Sequence, residues 1–262
     1  MNKILIGIVF TLLLLFVCGL PYKINVTHYK IPKNTKKKLK IGVIADLHCR
    51  TYGHKQKKII DILKKENVDL VIIPGDLFDV GRKYEYSFDL VDGLKGIPTF
   101  FSSGNHDTYL KQMEEFRTKL KEKGVTVLED TETITNINGQ EIEIVGCCDH
   151  GRNMLYTAKQ LSDMFHTNSL RILISHRPEF MDVYQDVNCD LIVCGHAHGG
   201  QWRIPFTHQG IYAPRVGFLP KYTEGIHNFG NTNVVISRGL ASGNPYIPRL
   251  YNNPEIVIVE IQ

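Results

Sequence analysis

Lys40-Ile41-Gly42-Val43-Ile44-Ala45-Asp46-Leu47-His48 is where the chain begins to set polar clusters at the ends of apolar runs. Residues 40–45 read as a buried strand, a short run rich in β-branched residues and bounded by polar ones. Downstream, residues 56–65 carry Ile59, Ile60, Ile62 and Leu63 at helical spacing, and residues 70–73 read as the next strand. Residues 84–94 and 110–123 look helical. Residues 98–101, 141–145, 170–174, 191–194, 234–237 and 256–261 look like strands. No repeat, low-complexity tract or Gly/Ser linker divides residues 41–262, so they are expected to form one domain. Strand, helix, strand in succession favours a layered α/β fold, with functional loops at the carboxyl ends of the strands.

The chemistry-bearing residues sit at those ends. After the first strand come Asp46 and His48, and after residues 70–74 come Gly75-Asp76-Leu77-Phe78-Asp79. Residues 100–103 lead into Gly104-Asn105-His106-Asp107, residues 170–175 into His176, and residues 191–194 into Gly195-His196-Ala197-His198. Imidazole combined with carboxylate and amide oxygen suits Mn, Zn or Fe better than the all-oxygen shells of Mg or Ca. Each piece is weak alone, since Asp-x-His occurs by chance and Gly-Asp is usually a turn. All five in order, each just past a strand, form a strong constellation.

The bulk numbers exclude some classes. Charged residues at 22% and hydrophobic ones at 43% describe an ordinary globular chain. Eight of the 31 basic residues lie in residues 1–40 with no acid, leaving 23 against 27 acidic residues beyond them. The domain is therefore mildly acidic, and no nucleic-acid partner is expected. Six cysteines do not make a disulfide framework: Cys147 and Cys148 are adjacent, and a strand between Cys189 and Cys194 would hold them roughly 16 Å apart.

Residues 4–20 carry no charge, so residues 1–22 are expected to form a single-pass membrane anchor, residues 23–39 a Lys-rich stalk and residues 40–262 the functional domain. A cleaved signal peptide is the alternative, although Val17-Cys18-Gly19 is a poor cleavage site. The lysines after the segment place the domain in the cytoplasm by the positive-inside rule, while a basic stalk also suits anionic headgroups or wall polymer outside. Oligomeric state is not readable from the sequence.

The motif series D-x-H, G-D-x-x-D, G-N-H-D, H and G-H-x-H resembles the signature of the calcineurin-like metallophosphoesterases, across nearly all of residues 40–262. Gly199-Gly200-Gln201, Ser237-Arg238-Gly239-Leu240 and Pro254-Glu255-Ile256 further resemble the membrane-anchored bacterial phosphodiesterase branch of that family. The resemblance implies a four-layer β-sandwich flanked by helices and two divalent metal ions sharing Asp76. Asp46, His48 and His198 then hold one ion, and Asn105, His176 and His196 the other. It implies hydrolysis of a phosphodiester, phosphomonoester or pyrophosphate by a two-metal-activated hydroxide, with His106 as general acid and Asp79 orienting it. An envelope-derived, lipid-linked substrate is expected. The competing reading is a non-catalytic, membrane-tethered binding module of the same fold, against which the complete motif set stands. Cys49 is read as a core neighbour, Asp149-His150 as a candidate cleft wall, and Arg238 as either a phosphate contact or a salt-bridge partner. His28, His54, His166, His208 and His227 lack motif support and are read as surface residues.

Overall fold

Period-two alternation builds the layers. A strand turns successive side chains to opposite faces, so Leu70 and Ile72 enter one apolar cluster while Val71 and Ile73 enter another. The same division recurs at Ile172 and Ile174 against Leu173, and at Leu191 and Val193 against Ile192 and Cys194. A run with no polar member is therefore one covered on both sides.

The computed structural model describes residues 3–33, 35, 37–151, 155–213, 216–241, 243–244 and 247–262, without the side chains of 243, 244 and 247. Its two large sheets use β1 (Asn25–Ile31), β2 (Leu39–Val43), β3 (Leu70–Ile73), β4 (Thr99–Phe101), β5 (Val125–Val127), β6 (Thr131–Ile137), β7 (Gln140–Cys147), β8 (Leu170–Ser175), β9 (Leu191–Cys194), β10 (Gly225–Phe229), β11 (Thr232–Ile236) and β12 (Glu255–Ile261). The first six-stranded sheet runs β1-β12-β2-β3-β4-β5 and the second runs β10-β11-β9-β8-β7-β6. From β2 to β5 every pairing is parallel, as it is from β7 through β8 and β9 to β11.

Side chains from both sheets meet in one buried cluster, including Ile41, Val43, Val257 and Val259 from the first and Ile142, Ile144, Ile172 and Val235 from the second. Helices Lys57–Glu66, Glu85–Gly93 and Met113–Glu122 cover the outer face of the first sheet. Helices Ala158–Asp163 and Met181–Tyr184 cover that of the second. The result is the helix–sheet–sheet–helix layering that the resemblance implied.

The membrane segment is corrected. Among the described residues, no helix is long and apolar enough to cross a membrane. The N-terminal helix Lys3–Gly19 has 17 residues, about 26 Å at ~1.5 Å per residue, against a hydrocarbon core of ~30 Å. The single-pass anchor is not supported, and neither are the transmembrane element of the fold class, the helix-mediated membrane partner and the question of which side the domain faces. The helix end instead meets the domain: Tyr251 N–H donates to Gly19 O (2.6 Å) and Tyr251 O–H to Leu15 O (2.7 Å). The stretch read as a stalk also begins differently, because β1 pairs in parallel with β12 from Asn25↔Glu255 to Ile31↔Ile261.

Candidate metal centre

The parallel strands β2, β3 and β4 end together on one edge of the first sheet, and β8 and β9 end facing them from the second. Backbone bonds past the strand ends hold the loops side by side. Asp46 N–H donates to Gly75 O (3.1 Å), His48 N–H to Asp76 O (2.9 Å) and Gly195 N–H to His176 O (3.0 Å). The two sheets are tied at the site itself, where His196 N–H donates to both oxygens of Asp46, at 3.0 and 3.1 Å. Close approach dictates two glycines. A Cβ on Gly104 would run into Asp76 Oδ1, and one on Gly195 would lie 2.7 Å from Asp46 Oδ2.

Two sets of ligand-type atoms form around Asp76. Asp46, His48, Asp76 and His198 offer one set, and Asp76, His176 and His196 the other, each with its atoms within 4.8 Å of one another. The carboxylate of Asp76 is divided between tasks. Its Oδ1 accepts the His106 backbone N–H (2.8 Å), while Oδ2 stands 3.2 Å from His176 Nε2 and 3.5 Å from His48 Nε2. His48 Nε2 and His198 Nε2 are 3.3 Å apart, and His196 Nδ1 and His176 Nε2 are 3.2 Å apart, so the rings converge by pairs. The other nitrogen of His176, Nδ1, donates to Pro74 O at 2.7 Å, which turns Nε2 toward Asp76 as the nitrogen free to meet a cation. Asn105 is buried, and its Oδ1 has no hydrogen-bond partner among the described residues. An orphaned amide oxygen beside imidazoles and carboxylates is what a cation would satisfy, so the residues fit a two-cation centre.

The electrostatics agree. Burial pushes the Asp76 carboxyl up, but the charges of His176, His48 and His106 outweigh it and hold it well below the usual range. Asp46 is also lowered, with His198 the main force against burial. Burial disfavours a charged His176, yet Asp76, Asp46 and Asp149 raise it to about 10. Burial, His176 and Arg177 push His196 down to about 2, leaving it a neutral ring. Two buried carboxylates attract cations, and a cation held at Asp76 would replace the positive charge that His176 carries there.

A third group lies on the open side. His106 Nδ1 is 2.8 Å from Asp79 Oδ1, and the other oxygen of Asp79 is 3.5 Å from His48 Nδ1. Burial works against the imidazolium of His106, but the hydrogen bond to Asp79 and the charges of Asp76 and Asp79 raise its pKa above the ordinary value. The His106 side chain is 42% exposed, the one ring of the centre with ready access to a bound molecule.

Every motif residue singled out in the sequence is therefore brought to this edge. Cys49 is buried in the helix-side core beside Ser87. Arg238 pairs with Glu255 and Glu224, which is its salt-bridge reading. Asp149 is buried against Arg177, while His150 bonds Asp130. Two residues, Arg177 and Glu179, escaped sequence reasoning, while Asp107 of the G-N-H-D motif braces the loops around the site. Asp107 accepts the N–H groups of Phe78 (2.8 Å) and Gly104 (2.9 Å), and burial together with Asp76 raises it to about 7. Arg177 and Glu179 lie against His196, and their only signal was a position one and three residues past His176.

The calcineurin-like phosphoesterase family model matches residues 39–237. This chain belongs to that family. It is 29% identical over 237 residues to phosphodiesterase YaeI of Escherichia coli K12, covering 87% of this chain and 84% of that one. It is 25% identical over 236 residues to the uncharacterized metallophosphoesterase YkoQ of Bacillus subtilis 168, covering 86% and 84%. Among solved structures, TT1561 of Thermus thermophilus is similar with a TM-score of 0.53 at 13% identity, over 79% of this chain and 92% of that one, a likeness of fold alone. The chain is thus a phosphoric ester hydrolase whose family uses a dinuclear divalent metal centre.

Proposed function

We propose that the chain hydrolyses a phosphodiester or pyrophosphate bond, with one ion held by Asp46, His48, Asp76 and His198 and the other by Asp76, Asn105, His176 and His196. The observation that carries this is Asp76 Oδ2, turned to both donor sets at 3.2 and 3.5 Å. When bound, such a pair of cations lowers the pKa of bound water and offsets charge on the phosphoryl oxygens. The chain's own residues supply the rest. The His106 N–H occupies Asp76 Oδ1 and so fixes the tilt of the shared carboxylate. Asp79 accepts from His106 Nδ1, and His106 Nε2 then carries the proton that a departing alkoxide takes as the P–O bond breaks.

The mixed N/O donor set favours Mn, Zn or Fe. Trp202, Ile204, Phe206, Phe218 and Leu219 follow His198 and stay exposed, which supports a phosphoester bearing an apolar group, such as a lipid-linked one. The test reloads the metal-free protein with Mn, Zn, Fe or Mg and follows a chromogenic phosphodiester alongside elemental analysis. Two ions per chain are expected, with Asp76→Asn losing both and Asp46→Asn losing one. Full turnover in protein holding only trace metal overturns the reading. Equal kcat/KM for long-chain and short-chain alkyl diesters overturns the apolar-substrate part alone.

A further inference from the structure

His176 and His196 face one another across a single cation position, His176 through Nε2 and His196 through Nδ1. A neutral imidazole that offers one nitrogen to a cation carries its proton on the other. His176 meets this condition, because its Nδ1 donates to Pro74 O at 2.7 Å. His196 does not yet meet it. The nearest hydrogen-bonding group to its Nε2 is Arg177 Nη1 at 3.2 Å, and a guanidinium only donates. That contact is satisfied while Nε2 is bare, the tautomer that puts the proton on Nδ1 and blocks a cation there.

An acceptor stands beside this mismatch. Glu179 Oε1 accepts from Arg177 Nη1 at 3.0 Å and lies 3.6 Å from His196 Nε2. Glu179 Oε2 is buried and has no hydrogen-bond partner among the described residues. Arg177 does not need His196, since Asp149 takes its Nε at 2.5 Å and its Nη2 at 3.2 Å while Glu179 takes Nη1. Arg177 is 2% exposed, so it is a fixed post from which Glu179 hangs.

We infer that Glu179 is the positioning residue for His196, accepting its Nε2–H so that Nδ1 is bare toward the second ion. The inference rests on the reading of His196 as a ligand. A small turn of the carboxylate gives each oxygen one donor, Arg177 Nη1 and His196 Nε2, and leaves no orphan. Glu179 is then to His196 what Pro74 O is to His176, a partner that selects the tautomer and aims the ring.

The experiment dialyses the full chain, stripped of metal, against buffered zinc over a range of free concentrations and counts ions bound per chain. Wild type is expected to fill two positions. His196→Ala is expected to lose one of them, and its filling both overturns the ligand reading itself. Given that loss, Glu179→Ala is expected to fill both positions but with the affinity of one lowered about 10–100-fold. Glu179→Gln keeps one acceptor oxygen and is expected to fall between wild type and Glu179→Ala. In zinc-loaded protein the ring N–H resonance of His196, assigned by its absence in His196→Ala, is expected to be protected from exchange in wild type and in Glu179→Gln but not in Glu179→Ala. Wild-type affinity at both positions in Glu179→Ala overturns the inference while the ligand reading stands. Equal losses in the Ala and Gln variants overturn it as well, because they show that charge or packing matters and the acceptor does not.

Discussion

Asp79 serves two rings with one carboxylate, His106 at 2.8 Å and His48 at 3.5 Å, and the shorter contact decides its main effect. An alkoxide leaving group needs a proton, whereas nitrophenolate departs without one. His106→Asn is therefore expected to slow an alkyl phosphodiester by about 10²–10⁴-fold and a nitrophenyl ester far less, with metal content unchanged. Asp79→Asn should show the same bias at smaller size. The pH dependence follows from the raised pKa of His106. The acid form is lost as pH rises through that pKa, so alkyl-ester turnover falls on the alkaline side, and Asp79→Asn moves the fall to lower pH. Rate profiles on the two ester types check both statements. Equal slowing of both esters assigns His106 to charge stabilisation instead of proton donation.

At the scale of elements, β7 shows how a sheet holds a distant loop. Glu143 on this strand is fully buried, and its carboxylate accepts from His166 N–H (2.6 Å), Thr167 N–H (2.9 Å) and Thr167 O–H (2.8 Å). Burial pushes this carboxyl up, but those three donors outweigh it and lower its pKa. A lowered folded-state pKa stabilises fully above the unfolded value of about 4.3 and is lost as pH falls through the folded one. Glu143→Gln is expected to cost about 1–3 kcal/mol at pH 7, and the difference to shrink at pH 3. Urea unfolding at the two values measures it; an equal deficit at both shows that shape, and not the charge, matters.

Elements were also where the sequence was most and least legible. Leu70–Ile73 and Leu191–Cys194 emerge within the residues their apolar runs predict, because strands covered on both faces leave no polar member to blur them. The Asp and His clusters were readable for the same reason, as each interrupts such a run. β1 was not readable. Its Asn-Val-Thr-His-Tyr-Lys-Ile sequence is that of a half-exposed edge, and the lysines on both sides drew it into a stalk. β6 and β10 are likewise outer strands, and the second sheet was known only from the family resemblance. Arg177 and Glu179 were invisible because a charged residue becomes informative only once its neighbours in space are known.

At the scale of the whole molecule, β1 makes the N-terminal boundary of the fold lie well before the family motifs. β12 is buried between β1 and β2, with Ile256, Val257, Ile258 and Val259 each no more than 1% exposed. A chain beginning at residue 21 keeps β1 and is expected to remain monodisperse with a melting temperature near that of the full chain. One beginning at residue 39 bares the whole edge of β12, and is expected to melt lower and to associate. Size-exclusion chromatography and thermal melts compare the three, and equal behaviour of the 21 and 39 starts would show that β1 is dispensable.

The loops that carry the centre adopt an unusual backbone. Asp46, His48, Asp76, His196 and His198 have φ of 52°, 48°, 52°, 65° and 48°, a region where a Cβ is crowded and a glycine is not. Such residues cost of order 1–3 kcal/mol each unless the surroundings hold them in place. The centre is thus a stability deficit that ion binding offsets, and inactivating it can make the apoprotein tougher. Metal-free His198→Gly is expected to melt above metal-free His198→Ala, the reverse of the order glycine gives in an ordinary loop. Loaded wild type is expected to melt above both, since only it can draw on the cations it was strained to receive.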